Sequence, residues 1–359
     1  MNVPAAAPAR LSAAEAADVR TAVAGIIDGD VWVGGPPVAA FECAFASFLG
    51  ATDREVVGVG NGTDALVLAF ASLGLAPGSA VLVAADEGGY AATAAAQLGL
   101  RIRVMDVDPA LGVPTVETAA SAWAGDVTAM VVTHLHGDAV PLDGAEGLDA
   151  WRRDRGLVLV EDCAQAHGLR VGGRHVGLVG DAATFSFYPT KNLGATGDAG
   201  ALVLPVDRAP LARSLREYGW GERYRVERPG GRNSRLDSLQ AAVLSARLPF
   251  LDSRNERRRL IAGRYRELTP LHGDPVTTVA HHAVTLLDHG GAREALRDHL
   301  SAQGIATAVH YPWLVTEMPG LDVAGSAPVA ADRRDRMLSL PCFPELTDAE
   351  VAHVCDALS

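Results

Sequence analysis

The chain has 359 residues, 48% of them apolar and 21% charged, and a formal net charge of −12. This is the composition of a soluble globular protein too long for one hydrophobic core, so a large domain and a smaller one are expected. The acidic balance excludes nucleic acid and anionic membrane as partners, because both demand a basic surface.

Along the chain, Ser12 to Asp28 is alanine-rich, with Val19, Val23, Ile26 and Ile27 spaced as one face of an amphipathic helix. The turn-rich VWVGGPP (31–37) precedes a second helix, AAFECAFASFLG, for which Gly50 is a plausible C-cap. VVGVGNGTDALVLAFASLGL (56–75) reads as strand, turn and helix. Apolar strands are then expected at 80–84, 101–107, 128–135, 157–162, 183–188 and 201–205, separated by helical stretches. That alternation predicts an α/β fold with a mainly parallel sheet covered on both faces. The character changes near Asn233. Residues 234–268 are helical in pattern, with Leu236, Leu239, Val243 and Leu244 on one face and Pro249 placed to kink or split the run. The expected division is a large domain over 1–245, including the N-terminal segment, and a small C-terminal domain over 246–359.

MNVPAAAPAR lacks the continuous apolar core of a signal peptide, and no apolar run approaches the roughly 18 residues of a membrane span. Cys43, Cys163, Cys342 and Cys355 are scattered, without a CxxC pair or metal-ligand spacing, and read as reduced thiols of a cytoplasmic enzyme. Cys163 beside Asp162 reads as a small buried spacer rather than a nucleophile. His281 and His282 are adjacent, project differently and make a poor metal pair. No metal site is expected.

Three stretches carry chemistry. NGTDALVLAF (61–70) opens a helix at Gly62 and Thr63, where unpaired backbone N–H groups and a hydroxyl suit a phosphate; an ordinary turn with an N-cap is the alternative. VEDCAQAHG (160–168) puts Asp162 at the end of a strand, where the mouth of an open α/β sheet collects ligands. There Asp162 suits the protonated ring nitrogen of pyridoxal phosphate and Gln165 its ring oxygen, or Asp162 is a helix N-cap. FSFYPTKNLGATGDAG (185–200) sets Lys191, a candidate Schiff-base lysine, before a glycine-rich loop; a solvent-exposed loop lysine is the alternative. Alternation puts Thr184, Ser186 and Tyr188 on one face and Phe185 and Phe187 on the other, which makes Ser186 a candidate phosphate ligand.

With these motifs in order, the chain resembles the DegT/DnrJ/StrS-type sugar aminotransferases, a branch of the fold-type-I pyridoxal phosphate enzymes. The resemblance runs nearly end to end: WVGG, NGTDAL, VEDCAQAHG, FSFYPTKNLGATGDAG, YGW (218–220), GGRNSRLDSLQAAVL (230–244) and GIATAVHYP (304–312). It implies that Lys191 binds the cofactor aldehyde and shuttles the proton, that Asp162 pairs with the pyridine nitrogen, and that Gln165 faces the ring oxygen. Ser186, Gly62 and Thr63 would hold the phosphate, and Tyr90 falls where the family stacks an aromatic on the ring. Asn233 would reach the phosphate of the partner subunit's cofactor, which implies a homodimer with shared active sites. Trp32, Gly34, Tyr188, His310 and Tyr311 would lie near the sugar. Arg223 and Arg232 are candidates for the nucleotide diphosphate.

The implied reaction moves an amino group from L-glutamate to a nucleotide-diphosphate keto-6-deoxysugar, at C3 and dTDP-linked, in deoxyaminosugar biosynthesis. Amination at C4 or of a cyclitol ketone is the alternative within the family, and a non-catalytic regulator that binds the cofactor or a sugar is the alternative from another class. Two segments depart from the family pattern. DEGGYAAT (86–93) replaces an FTF-like segment, and HLHGD (134–138) places His136 and Asp138 where a tyrosine and an amide are usual, which either alters contacts at the site or is surface drift.

Overall fold

A computed structural model describes residues 1–145 and 147–359. Helix α1 (Ala13–Ile27) starts where the Ser12 hydroxyl accepts the Glu15 N–H. Helix α2 (Pro36–Leu49) starts at the proline pair, whose fixed φ suits a first turn, and stops at Gly50, left-handed at φ 70°.

Strands β1 (Arg54–Val59), β2 (Ala80–Ala84), β3 (Arg101–Met105), β4 (Val127–Thr133) and β5 (Val158–Asp162) alternate with α3 (Gly62–Ser72), α4 (Tyr90–Gln97), α5 (Val116–Ala122) and α6 (Leu148–Arg153). A short hairpin, β6 (Arg170–Val171) and β7 (Arg174–His175), leads to β8 (Ala182–Ser186), β9 (Gly200–Pro205) and α7 (Ala209–Leu215). The main sheet has the order β1-β9-β8-β5-β4-β2-β3, and β9 alone runs against its neighbours. The mainly parallel sheet is therefore as expected. Its faces are buried under α3, α4 and α7 on one side and α2 on the other, and the strands are correspondingly apolar. Phe185 and Phe187 meet Phe45 and Phe41 edge-on, with ring centroids 5.0 and 5.4 Å apart.

The long helical run splits at Pro249 into α8 (Ser238–Arg247) and α9 (Leu251–Arg266), joined by a single tight turn over Leu248–Phe250. After α9 come β10 (Ala283–Leu286), α10 (Gly290–Ala302), β11 (Val323–Ala324), α11 (Pro328–Arg336), β12 (Met337–Leu340) and α12 (Asp348–Leu358). β10 and β12 form an antiparallel pair over a separate core. Two exchanges cross between the units. Val3 pairs with Ile305 and is buried in the small core. In return, β11 pairs in parallel with β3 at the end of the main sheet, and Leu314 and Val315 enter the large core. Among the described residues, no helix is long and apolar enough to cross a membrane.

Candidate active site

The carboxyl ends of β1, β2, β4, β5 and β8 open on one cavity of about 460 Å³. Asp162, the last residue of β5, is buried at its floor, and its Oδ1 accepts the Ala164 N–H at 3.0 Å. A turn follows rather than a helix, so the N-cap reading of Asp162 falls away. Burial pushes its carboxyl up, opposed by the Ala164 N–H and the Lys191 charge. Lys191 lines the same cavity, and burial lowers its amine from the ordinary 10.5 to about 8, with the Asp162 charge working against that shift. Near neutral pH a useful fraction is free base, which a nucleophilic amine requires.

The loop that carries Lys191 is fixed from several sides. The Lys191 N–H donates to the Tyr188 carbonyl at 2.8 Å and the Ala195 N–H to the Phe187 carbonyl at 2.7 Å. A Cβ at Gly194 would lie 2.5 Å from the Pro189 carbonyl oxygen, so no side chain fits this turn. Asn192 Nδ2 donates to Asn255 Oδ1 at 2.7 Å, and Asn192 Oδ1 accepts from His281 Nδ1 at 2.8 Å.

At the start of α3, Asn61 Oδ1 accepts the Asp64 N–H at 2.8 Å. This ordinary cap and the anion cup coexist, because the Gly62 and Thr63 N–H groups stand in the first turn with no intrahelical acceptor. A Cβ at Gly62 would come 2.7 Å from Ser186 Cβ. The cradle between helix start and β8 therefore exists only with glycine there. Together with Lys191 and Asp162, it fits the phosphate and ring of the cofactor that the resemblance implies.

Gln165 is oriented by two bonds: its Oε1 accepts the His136 N–H at 2.7 Å, and its Nε2 donates to the Tyr311 hydroxyl at 2.8 Å. Tyr90 and Tyr311 meet edge-on, with centroids 6.0 Å apart. His136 stands at φ 61°, is buried, and its Nδ1 lies 3.3 Å from His282 Nδ1. Asp138, also buried, receives His272 Nδ1 at 2.8 Å. The HLHGD departure thus lies inside the molecule and contacts the site; surface drift does not describe it.

Gly62, Thr63, Tyr90, Asp162, Gln165, Ser186, Tyr188, Lys191, His310 and Tyr311 line one cavity. Trp32, Gly34, Arg223 and Asn233 do not. Trp32 is 63% exposed, and its carbonyl and that of Gly34 accept from Ser238. Arg223 is exposed and lies over the Tyr224 ring, while Asn233 Oδ1 accepts from Arg235 Nε. Arg232 is spent on Asp64, at 2.8 Å.

Sequence reasoning gave no site role to Glu87, His281 or His282. Glu87 lies three residues past β2 and is buried against the N-terminal N–H groups of Ala91 and Ala92, at 3.0 and 3.2 Å; burial raises it to about 8. An acid just past a strand at the sheet mouth was the available signal. His282 stacks on His310, with centroids 3.8 Å apart and planes 6° apart. Behind the floor, His134 Nδ1 accepts the Val140 N–H, so its Nε2 carries the proton and donates to Glu161. Glu161 also accepts three backbone N–H groups from Gly177, Val179 and Gly180, a buried clamp that holds the end of β5. Burial raises the Cys163 thiol well above its usual range, as an inert spacer requires.

A model of the DegT/DnrJ/EryC1/StrS aminotransferase family matches residues 13–359. The chain is 38% identical to dTDP-3-amino-3,4,6-trideoxy-alpha-D-glucose transaminase of Streptomyces venezuelae, over 95% of this chain and 91% of the relative. It is 34% identical to UDP-N-acetyl-3-dehydro-alpha-D-glucosamine 3-aminotransferase of Acidithiobacillus ferrooxidans, over 95% of this chain and 93% of that one. The crystal structure of S. venezuelae DesV in complex with a ketimine intermediate matches with a TM-score of 0.91 at 34% identity, covering 99% of this chain and 97% of that one.

Proposed function

Because the chain belongs to the DegT/DnrJ/EryC1/StrS aminotransferase family, a pyridoxal phosphate-dependent one, we propose that it aminates C3 of a dTDP-linked keto-6-deoxyhexose with L-glutamate as donor. The observation that carries this reading is Lys191 and Asp162 in one cavity, beside a helix start kept open by Gly62. The names of both relatives place the amino group at C3, and the more similar one is dTDP-linked.

Bound pyridoxal phosphate supplies an electron sink for the carbon that loses its proton. Asp162 would hold a proton at the ring nitrogen, and Ser186, Thr63 and the Gly62 N–H would hold the phosphate. Gln165, its oxygen taken by His136 and one amide N–H by the Tyr311 hydroxyl, has one amide N–H left to offer the ring oxygen. Lys191 would be the acid and base at the reacting carbon, and an amine lowered to about 8 suits both roles. Tyr90 would lie against the ring, and Tyr188, His310 and Tyr311 would meet the sugar.

We further infer a cytoplasmic homodimer with shared sites, in which Asn233, Trp32, Gly34 and Arg223 act on the partner's cavity. Their position outside their own cavity and the exposure of Trp32 and Tyr224, 63% and 74%, support it. Under a division at 245/246, the small domain brings His281, His282, His310 and Tyr311 to the large one.

The deciding experiment is the absorbance of the purified protein with pyridoxal phosphate, before and after L-glutamate. Conversion of the lysine-linked band to that of pyridoxamine phosphate, reversed by a dTDP-3-keto-6-deoxyhexose, is expected; reversal only by 4-keto sugars would move the reaction to C4. Mixing Asn233→Ala with Lys191→Ala subunits should restore activity through hybrids with one native site, and no rescue removes the sharing.

A further inference from the structure

Next to the main cavity lies a smaller one, of about 140 Å³, and it contains a charge without a counter-ion. Arg258 of α9 lines it and is 4% exposed. Its Nη1 donates to the carbonyl oxygens of His281 and Cys342, and its Nε has no partner. Among the described residues, no carboxylate lies within ion-pair distance of it; Glu345, whose field reaches it, is committed to Arg254. Burying a guanidinium without an anion is costly, and folded proteins ordinarily pair such a charge.

The position of this cavity suggests what the anion is. Thr190, His282 and His310 line both cavities, and Thr190 precedes Lys191 in the chain. Burial keeps His282 and His310 neutral, so they offer hydrogen bonds without competing as cations. Lys191 is the one lysine or arginine among the described residues of the main cavity. L-Glutamate brings two carboxylates, and Lys191 is already the reacting amine. We propose that the Arg258 cavity is the carboxylate subsite for the amino donor, whose amino end faces Lys191 while one carboxylate reaches past Thr190 and His282 to the guanidinium. This rests on the glutamate reading above. The competing account is that Arg258 only ties α9 to the loops at His281 and Cys342.

The test is calorimetric titration of the holoenzyme with succinate, a dicarboxylate with no amino group, beside the spectroscopic half-reaction with L-glutamate. Arg258→Gln removes the charge; Ala308→Leu narrows the cavity and leaves Arg258 in place. Wild type should bind succinate. Both variants should weaken that binding and raise the half-saturating glutamate concentration about tenfold or more, the loss expected for a charge-assisted hydrogen bond. Succinate that fails to bind wild type, or binds both variants equally well, overturns the subsite. An effect in Arg258→Gln with Ala308→Leu like wild type also overturns it and leaves the arginine a loop tie. Succinate binding lost in both variants, with a cofactor spectrum that glutamate never changes, keeps the subsite and overturns glutamate as the donor.

Discussion

The cavity floor, built by the main sheet, gathers acids, whereas the wall contributed by the C-terminal third gathers histidines. On the floor, burial raises Asp162, and Glu87 to about 8. In the wall, burial lowers His281 and His282 well below 6.5 and His310 to about 4. The floor keeps its acids in place with backbone N–H groups at helix and turn starts. The wall is an imidazole stack in which protonating one ring disfavours protonating the next. The contrast suggests a division of labour: the floor manages charge at the cofactor, and the wall presents an uncharged polar surface to substrate.

The strongest way to break the floor is Lys191→Ala. It should remove amino transfer, by at least about 10⁴-fold, along with the lysine-linked absorbance band; retained steady-state turnover would sink the assignment. Asp162→Asn should keep the cofactor bound but lower kcat by about 10²–10³-fold, the scale of losing one fixed charge at a reacting centre. Unchanged kcat would take Asp162 out of the mechanism. A wall variant, His310→Gln, should instead raise KM for the sugar by about tenfold and leave the cofactor band where it is. A band shift like that of Asp162→Asn would erase the distinction between floor and wall.

The smallest effect is in stability against pH, and the two regions oppose each other. A histidine lowered on folding, as His310 is from 6.5 to about 4, gives stability that is full above 6.5 and lost as pH falls toward 4. Glu87, raised from 4.5 to about 8, gives stability that is full below 4.5 and lost as pH rises toward 8. Tm measured from pH 4 to 8 should therefore peak between these limits. His310→Gln should flatten the acid limb and Glu87→Gln the alkaline one; parallel curves for both variants would mean that other groups set the profile.

The floor was the legible part, because each of its pieces is a contiguous strand-turn segment whose residue order carries the geometry. Alternation in ATFSFY put Ser186 on one face and the phenylalanines on the other, although the strand stops at Ser186 and leaves Tyr188 exposed in the loop before Lys191. Glu87 escaped notice because its burial depends on the N–H groups of α4, in a stretch that reads as a glycine-rich loop. His281 and His282, the part of the wall that escaped, are placed by contacts that span the chain: His136 and His282 are 146 residues apart. Nor could periodicity announce β11, since two residues make no pattern. Trp32, Gly34, Arg223 and Asn233 were named by family motif alone, and the single chain gives them no cavity to line.

The two exchanges between the units have a consequence for synthesis. A nascent chain emerges from its N-terminus, so Val3 is made long before its partner Ile305. β3 likewise remains an open edge of the sheet until Val323 and Ala324 are made. An unpaired edge is a template for pairing with other chains, and incomplete folds that expose one are where aggregation begins. A protein stalled or truncated before β11 would carry the whole cofactor floor and still present that edge to its neighbours.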